Sequence, residues 1–354
     1  MKSTLFIISS LSGGNAKILT DVAIDQSFKN DVFIEIITDI YDVDLINEVR
    51  KYKIKYRLGQ NSNIEKLTTL IKILIDFKKN KKDLVISFDA RSNLYSFILK
   101  VVFGISWVAG IHGLKGAFTK KWSIINKIIL KKSLVCIVPS FAVQNKLISK
   151  NILLKKKIKV IHNGINIPDE LQKRYLENSF KICLIGNFYS PVIKGHKIAI
   201  DAIKLLPKKF SLTIFGDGKY YNHYKDYIKS SNLISRVNMP GACDLEIIKK
   251  ELTNALCVVA PSSTEAFGVS ILESMSFGVP VIANKTGGIS EIIDHGINGI
   301  LINEVEPKKL ANEIMKLSDN AHVNNILGEA AFKKVKTIFK KSTMLSKYDN
   351  VINR

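Results

Sequence analysis

Short apolar runs of four to seven residues recur along this chain, separated by longer stretches with apolar residues at three- and four-residue spacing. The runs predict strands at 4–8, 32–38, 53–58, 83–88, 106–111, 134–138 and 157–161. The intervals predict amphipathic helices, for example 65–78 and 123–130. The pattern stops at His162-Asn163-Gly164 and Pro168-Asp169, and the polar stretch 170–179 reads as a linker. It then starts again, with strands expected at 180–185, 211–215, 236–239, 256–260, 279–283 and 299–302. Helices at 307–317 and 323–340 follow, and 342–352 can form a last one. Strands alternating with helices imply parallel, doubly wound α/β sheets covered on both faces. The expected organisation is one Rossmann-like domain over 1–170, a second over 171–340, and a C-terminal helix within 341–354 that crosses back to the first.

A length of 354 residues agrees with two domains. The four cysteines are scattered without CxxC or metal-like spacing, three of them in strand-like runs, which predicts reduced core thiols and a cytoplasmic setting. The apolar start at 4–8 runs directly into a strand-turn-helix pattern and not into a signal-peptide core. The stretch 94–111 nears membrane-spanning length, but Lys100 and Gly104 favour a buried helix followed by a buried strand. The formal charge of +22 is uneven, because no acidic residue lies between Asp89 and Asp169. Lys120, Lys121, Lys127, Lys131 and Lys132 fall in that span, beside Trp122. No nucleic-acid module accompanies the charge, so an anionic membrane surface is the favoured partner over a lysine-rich composition with no partner, with Trp122 either at headgroup level or in the core.

Ligands of open parallel sheets gather at the carboxyl ends of strands, and most of the candidate chemistry falls there. Ser12-Gly13-Gly14-Asn15 follows the first expected strand, with Gly14 in a turn where the backbone can approach a ligand. His112 follows the strand 106–111. Gly186-Asn187-Phe188 follows 180–185, and Lys194 stands at the start of the next helix, an unfavourable place for a cation unless an anion is present. The stretch from Thr264 to Gly288 carries the densest pattern. Glu265 precedes Phe267-Gly268-Val269 at a strand-to-helix turn, and Glu273 sits inside the apolar run that follows, where a carboxylate needs a partner. Free amides at the Gly268 helix start suit phosphate. Gly216-Asp217-Gly218 reads as a further turn, and Met239-Pro240-Gly241 either as a plain turn or as a segment whose backbone meets the ligand. No dinucleotide fingerprint, P-loop, zinc motif or Ser-His-Asp arrangement is visible.

Glu265 and Glu273 with Phe267-Gly268, Gly278-Val279-Pro280-Val281 and Gly287-Gly288 resemble the signature of retaining glycosyltransferases of family 4. The resemblance implies the GT-B fold, two Rossmann-like domains facing a central cleft. It also implies transfer of a sugar from a nucleotide-diphosphate donor to a hydroxyl of a saccharide or lipid-linked acceptor, as in surface polysaccharide synthesis. By this resemblance Glu265 holds sugar hydroxyls, Glu273 the ribose, Lys194 with the helix-start amides the diphosphate, and His112 the sugar near its anomeric carbon. Gly14, Gly186, Phe267, Gly268 and Val269 line the donor. No metal or other cofactor is expected, because Lys194 and the helix dipole neutralise the leaving group. The family usually has arginine where this chain has Asn187, so one phosphate cation is missing. That departure leaves a second reading, an inactive GT-B partner subunit that binds nucleotide sugar.

Overall fold

The computed structural model describes residues 2–60, 62–114, 117–171, 174 and 180–353. It divides into two compact units, 1–164 with 341–354, and 165–340. The expected linker 170–179 lies mostly outside the described residues, as does Lys115. Residues 165–170, grouped above with the first domain, belong to the second unit, where Ile165 bridges Lys340.

The first unit is built on β1 (Ser3–Ile8), β2 (Asp31–Ile36), β3 (Lys55–Leu58), β4 (Leu84–Ser87), β5 (Ser106–Gly110), β6 (Val135–Val138) and β7 (Ile158–Val160). All pairings are parallel, in the order β3-β2-β1-β4-β5-β6-β7. The second unit holds β8 (Lys181–Ile185), β9 (Ser211–Phe215), β10 (Val237–Gly241), β11 (Cys257–Ala260), β12 (Val281–Asn284) and β13 (Ile300–Ile302), ordered β10-β9-β8-β11-β12-β13. In both sheets the order reverses once, between β1 and β4 and between β8 and β11. The two crossovers leaving those strands pass to opposite faces, which opens a crevice at the strands' carboxyl ends. Central strands are buried on both sides, as β4 is at every position, which is why they read as continuous Val/Ile runs.

Some boundaries move for visible reasons. Lys53 has φ 55°, a left-handed turn, so β3 starts two residues later than expected. Met239-Pro240-Gly241, expected to turn, continues β10 at the edge of its sheet, where a proline that donates no hydrogen bond is tolerated. A register shift between Asn238 and Gly241 absorbs it. The near-membrane-length stretch divides into the helix Ala90–Phe103, stopped at Gly104 with φ 71°, and β5. Among the described residues no helix is long and apolar enough to cross a membrane. Cys136, Cys183 and Cys257 are free, buried thiols, and burial pushes all three well above the usual thiol range.

The helix Lys341–Ile352 packs into the first unit through Met344, Tyr348 and Ile352, spaced one face apart. Lys341 pairs with Asp21 at 2.8 Å, and Asp349 accepts from Lys29 at 2.9 Å and Gln26 at 3.0 Å, fixing it along the helix Gly13–Ser27.

Arg174 is the main polar anchor inside the second unit. Its guanidinium donates to the carbonyls of Gly278 (2.9 Å), Ala255 (2.5 Å) and Leu256 (3.3 Å) and to the Asn324 side chain (3.0 Å). Burial pulls its pKa down to about 10. Arg174→Met removes these donors and strands several buried acceptors, each costing about 1–3 kcal/mol. We expect a net loss of roughly 2–4 kcal/mol, read as a lower urea midpoint for the second unit. An unchanged midpoint would show that the carbonyls find other donors.

Candidate active site

The second unit carries the expected residues at the carboxyl ends of β8 and β11, on either side of the reversal of strand order. The loop after β8 leads into the helix His196–Leu205, and the loop after β11 into the helix Val269–Ser276. Glycines with positive φ precede both, Gly195 at 70° and Gly268 at 119°, and neither helix start has a side-chain cap or an acidic residue in its first turn. The first N–H groups of a helix have no intrahelical partner, and the helix dipole favours negative charge there. Two such ends beside one crevice are suited to an anion.

Between them stand Lys194 and Glu265, paired Nζ to Oε2 at 2.6 Å with side chains 23% and 18% exposed. Their loops interlock through the backbone. A Cβ on Gly195 would fall 2.2 Å from the Pro261 carbonyl, and the Ser263 N–H donates to the Ile193 carbonyl at 2.8 Å. On the other side Gly288 donates to the Glu265 carbonyl at 3.1 Å, and a Cβ there would meet Ala266 O at 2.5 Å. The stem of Lys194 lies against Gly186. His196, fully buried, bonds the Gly186 carbonyl at 3.1 Å and stacks on Phe188 with centroids 4.1 Å apart. This histidine fixes the glycine loop from below. Burial, followed by the charge of Lys194, lowers its pKa to about 4 against the pull of the Gly186 carbonyl.

Two candidates change character. Glu273 is not sunk in an apolar face: it shares the open side of its helix with Val269 and Ser270, while Ile271, Leu272 and Met275 are buried. The Phe267 side chain is core, edge-on to Phe339 at 5.6 Å, so only its backbone is available to a ligand. Asn187 is exposed on the Gly186 loop.

In the first unit a cleft of about 300 Å³ opens at the ends of β1, β4 and β5, with His112, Asn15, Asp89, Arg91 and Trp122 among its walls. Trp122 is therefore half-buried in the cleft wall and not a core residue. Asp89 caps the helix Ala90–Phe103 and binds Ser9 through its N–H (2.7 Å) and hydroxyl (2.6 Å), joining β1 to β4 across the reversal. His112 is 3% exposed, and burial lowers its pKa to about 3. Gly14 is exposed and does not line the cleft; Gly13 carries the positive φ, at 75°, and Ser12 and Asn15 supply the wall. Arg91 and Ser9 were not singled out from sequence, since nothing in their spacing separates them from ordinary helix-start and strand-end residues. Among the described residues no group of three or more metal-ligating side chains gathers.

The family profile of Glycosyl transferases group 1 matches residues 167–334, and that of Glycosyltransferase Family 4 matches 29–168. The chain belongs to the group 1 glycosyltransferases. The profiles meet near the boundary between the two units and together cover both sheets except β1. An uncharacterized glycosyltransferase of Methanocaldococcus jannaschii is 30% identical over 241 residues, 66% of this chain and 64% of that one. The match to a second from the same organism spans 61% of its length, so this chain covers under two thirds of both relatives. An uncharacterized protein from the cps region of Klebsiella pneumoniae is 28% identical over 315 residues, 81% of this chain and 83% of that one. Among solved structures, Anabaena HepE in complex with UDP and glucose shares the GT-B fold at TM-score 0.85 and 20% identity over the whole of both chains.

The two buried histidines of this glycosyltransferase fold give it an acid-sensitive stability. Unfolded, each ring takes up a proton below about pH 6.5; folded, His196 does so only near 4 and His112 near 3. Their contribution is complete above the unfolded value and is lost as pH falls from 6.5 towards 4. Glu35 runs the other way, since burial raises its carboxyl to about 7 against the pull of Arg57, so its contribution grows as pH falls from 7 to 4.5. Comparison of wild type with His196→Gln isolates one ring: the variant should lose about 1–2 kcal/mol less between pH 6.5 and 5. Parallel stability curves would show that His196 takes up its proton in the folded chain.

Proposed function

We propose that the protein transfers a sugar from a nucleotide-diphosphate donor to a hydroxyl of a saccharide or lipid-linked saccharide, with retention at the anomeric carbon. The observation that carries this reading is the Lys194–Glu265 pair between two uncapped, glycine-led helix starts. A diphosphate suits the helix ends and Lys194, which together stabilise the leaving group as the glycosidic bond breaks. Glu265, held beside that cation, accepts hydrogen bonds from sugar hydroxyls. Glu273, on the open helix face eight residues on, takes the ribose hydroxyls. His112 stays neutral at working pH and acts as a hydrogen-bonding group towards the sugar, not as an acid or base. The complex of HepE with UDP and glucose supports a uridine donor, and the cps-region relative supports a polysaccharide acceptor.

A thermal-shift screen of nucleoside diphosphates and their sugars tests the donor, since a ligand at 100 times its Kd stabilises by about 2.7 kcal/mol. Using the best hit, Glu265→Ala should abolish transfer, a loss of about 2–4 kcal/mol in the transition state. Nucleoside-diphosphate affinity should hold or rise, because the substitution frees Lys194. Glu273→Ala should weaken that affinity, and Asn187→Arg should tighten it without altering nucleoside binding. A fully active Glu265→Ala, or unchanged calorimetry for Glu273→Ala, would remove the assigned roles.

We further propose reversible attachment to an anionic membrane face. The helix Lys120–Ile129 exposes Lys120, Lys121 and Lys127 on the same side as Ile124 (57% exposed) and Ile128 (62%), and Lys131, Lys132 and Leu134 continue the patch. Lysines beside apolar residues favour lipid over a purely polar polyanion, each contributing about 1 kcal/mol near an anionic surface. The protein should co-sediment with anionic but not neutral liposomes, and lose this at high salt or on replacing the five lysines by Glu. Equal binding to both liposome types, or to neither, would leave the charge without a lipid role.

A further inference from the structure

We propose that Tyr348, on the C-terminal helix, is a positioning residue that fixes the tautomer of His112, so that Nδ1 carries the proton and donates in the cleft. The proposal rests on the reading of His112 as a sugar-facing group. The Tyr348 hydroxyl lies 3.3 Å from His112 Nε2, with the two residues 236 positions apart in the chain. Both are buried, at 1% and 3% exposure. Phe88 stacks on each ring, at 4.9 Å and 19° from His112 and at 6.2 Å and 10° from Tyr348, so neither ring can swing away freely. The Cδ2 edge of the imidazole faces backbone, since a Cβ on Gly110 would sit 3.2 Å from it. Cδ2 and Nε2 are thus taken, and the Cε1–Nδ1 edge remains. His112 lines the cleft, and its Nδ1, buried in the wall, has no hydrogen-bond partner among the described residues.

Counting protons selects the tautomer. A neutral imidazole has one N–H. If Nε2 carried it, the bond to Tyr348 would run from ring to hydroxyl, leaving both the buried phenol O–H and the Nδ1 lone pair without partners. If Nδ1 carries it, the phenol donates to Nε2 and only the Nδ1–H is left. A buried unmade hydrogen bond is costly, so the arrangement with one orphan wins, and that orphan is a donor on a cleft residue. Burial keeps His112 neutral and holds the phenol well above its usual range, protonated and able to donate. Such a group recognises an acceptor oxygen, of a sugar hydroxyl or carbonyl, and does not remove protons. The hydrogen bond made by one ring nitrogen of a histidine commonly sets the state of the other in this way.

The test uses the full chain with 15N-labelled histidine. Long-range proton–nitrogen correlation should find His112, assigned by its loss in His112→Asn, as the Nδ1–H form. Tyr348→Phe, which removes one oxygen, should shift it towards the Nε2–H form or a mixture. With UDP and UDP-glucose as calorimetric probes, Tyr348→Phe should weaken UDP-glucose by about threefold to tenfold, one hydrogen bond's worth, and leave UDP unchanged. In a His112→Asn background, where an amide N–H stands in for Nδ1–H, Tyr348→Phe should have no further effect. An Nε2–H tautomer in wild type, an unchanged tautomer in Tyr348→Phe, or additive losses would overturn the proposal. If UDP-glucose does not bind the wild type, the donor reading fails, and the tautomer measurement still decides the role of Tyr348.

Discussion

The ion pair between Lys194 and Glu265 depends on one constraint, the reversal of strand order between β8 and β11. A right-handed crossover from each of two neighbouring parallel strands sends one chain to each face of the sheet. The loops therefore diverge, and their first residues face each other across the gap. Close backbone contact then fixes the opposing groups. The 2.2 Å that a Cβ on Gly195 would leave to the Pro261 carbonyl shows how little space separates the loops. A side chain there would push Lys194 away from Glu265. The glycine serves the geometry of its neighbour as much as its own left-handed φ.

A largely buried ion pair of this kind adds little net stability, because desolvation offsets much of its Coulomb attraction. Its significance lies in organisation, because two opposite charges are held fixed beside the two helix starts, as the proposed transfer requires. The histidines at the two strand-order reversals follow a different logic. His196 and His112 are both buried and neutral, and each is stacked on a phenylalanine, Phe188 and Phe88 respectively. In His196 the Nε2 nitrogen meets the Gly186 carbonyl, which only accepts, so Nε2 carries the proton, the residue acts as a strut, and the unpartnered buried Nδ1 is a lone pair. In His112 the Nε2 nitrogen meets a hydroxyl that can be its donor, so the unpartnered buried Nδ1 is the one that carries the proton. The same residue in the same kind of place thus does different work according to what holds its inner edge.

This contrast marks how far the sequence could be read. The parallel strands were legible because burial on both faces forces unbroken Val/Ile runs, and the breaks between them carry glycine, proline and asparagine. Sheet ends, and hence the neighbourhoods of Lys194, Glu265 and His112, followed from that pattern. Whether a polar residue within an apolar run points inward was not legible. Glu273 read as buried, but a helix of eight residues can keep Val269, Ser270 and Glu273 on one open face. Proline in 239–241 read as a turn because sequence does not reveal that β10 is an edge strand. That Trp122 shares a wall with His112 was not legible either, because nothing in the intervening sequence signals it.

The last helix shows the same limit from the other side. Its apolar spacing, Met344, Tyr348 and Ile352, identifies a buried face, and tyrosine in such a face reads as packing. Only the fold shows what the hydroxyl meets. Asp21, Gln26 and Lys29 on the helix Gly13–Ser27 set the register of the terminal helix through Lys341 and Asp349. A shift of one turn along that ladder, about 5.4 Å, would carry the hydroxyl out of reach of the imidazole. These charge pairs, together with the buried Met344, Tyr348 and Ile352, hold the register that keeps the hydroxyl beside a buried nitrogen. The chain's final residues thus act on the cleft formed after its first strand, and the histidine's donor edge is set from the opposite end of the sequence.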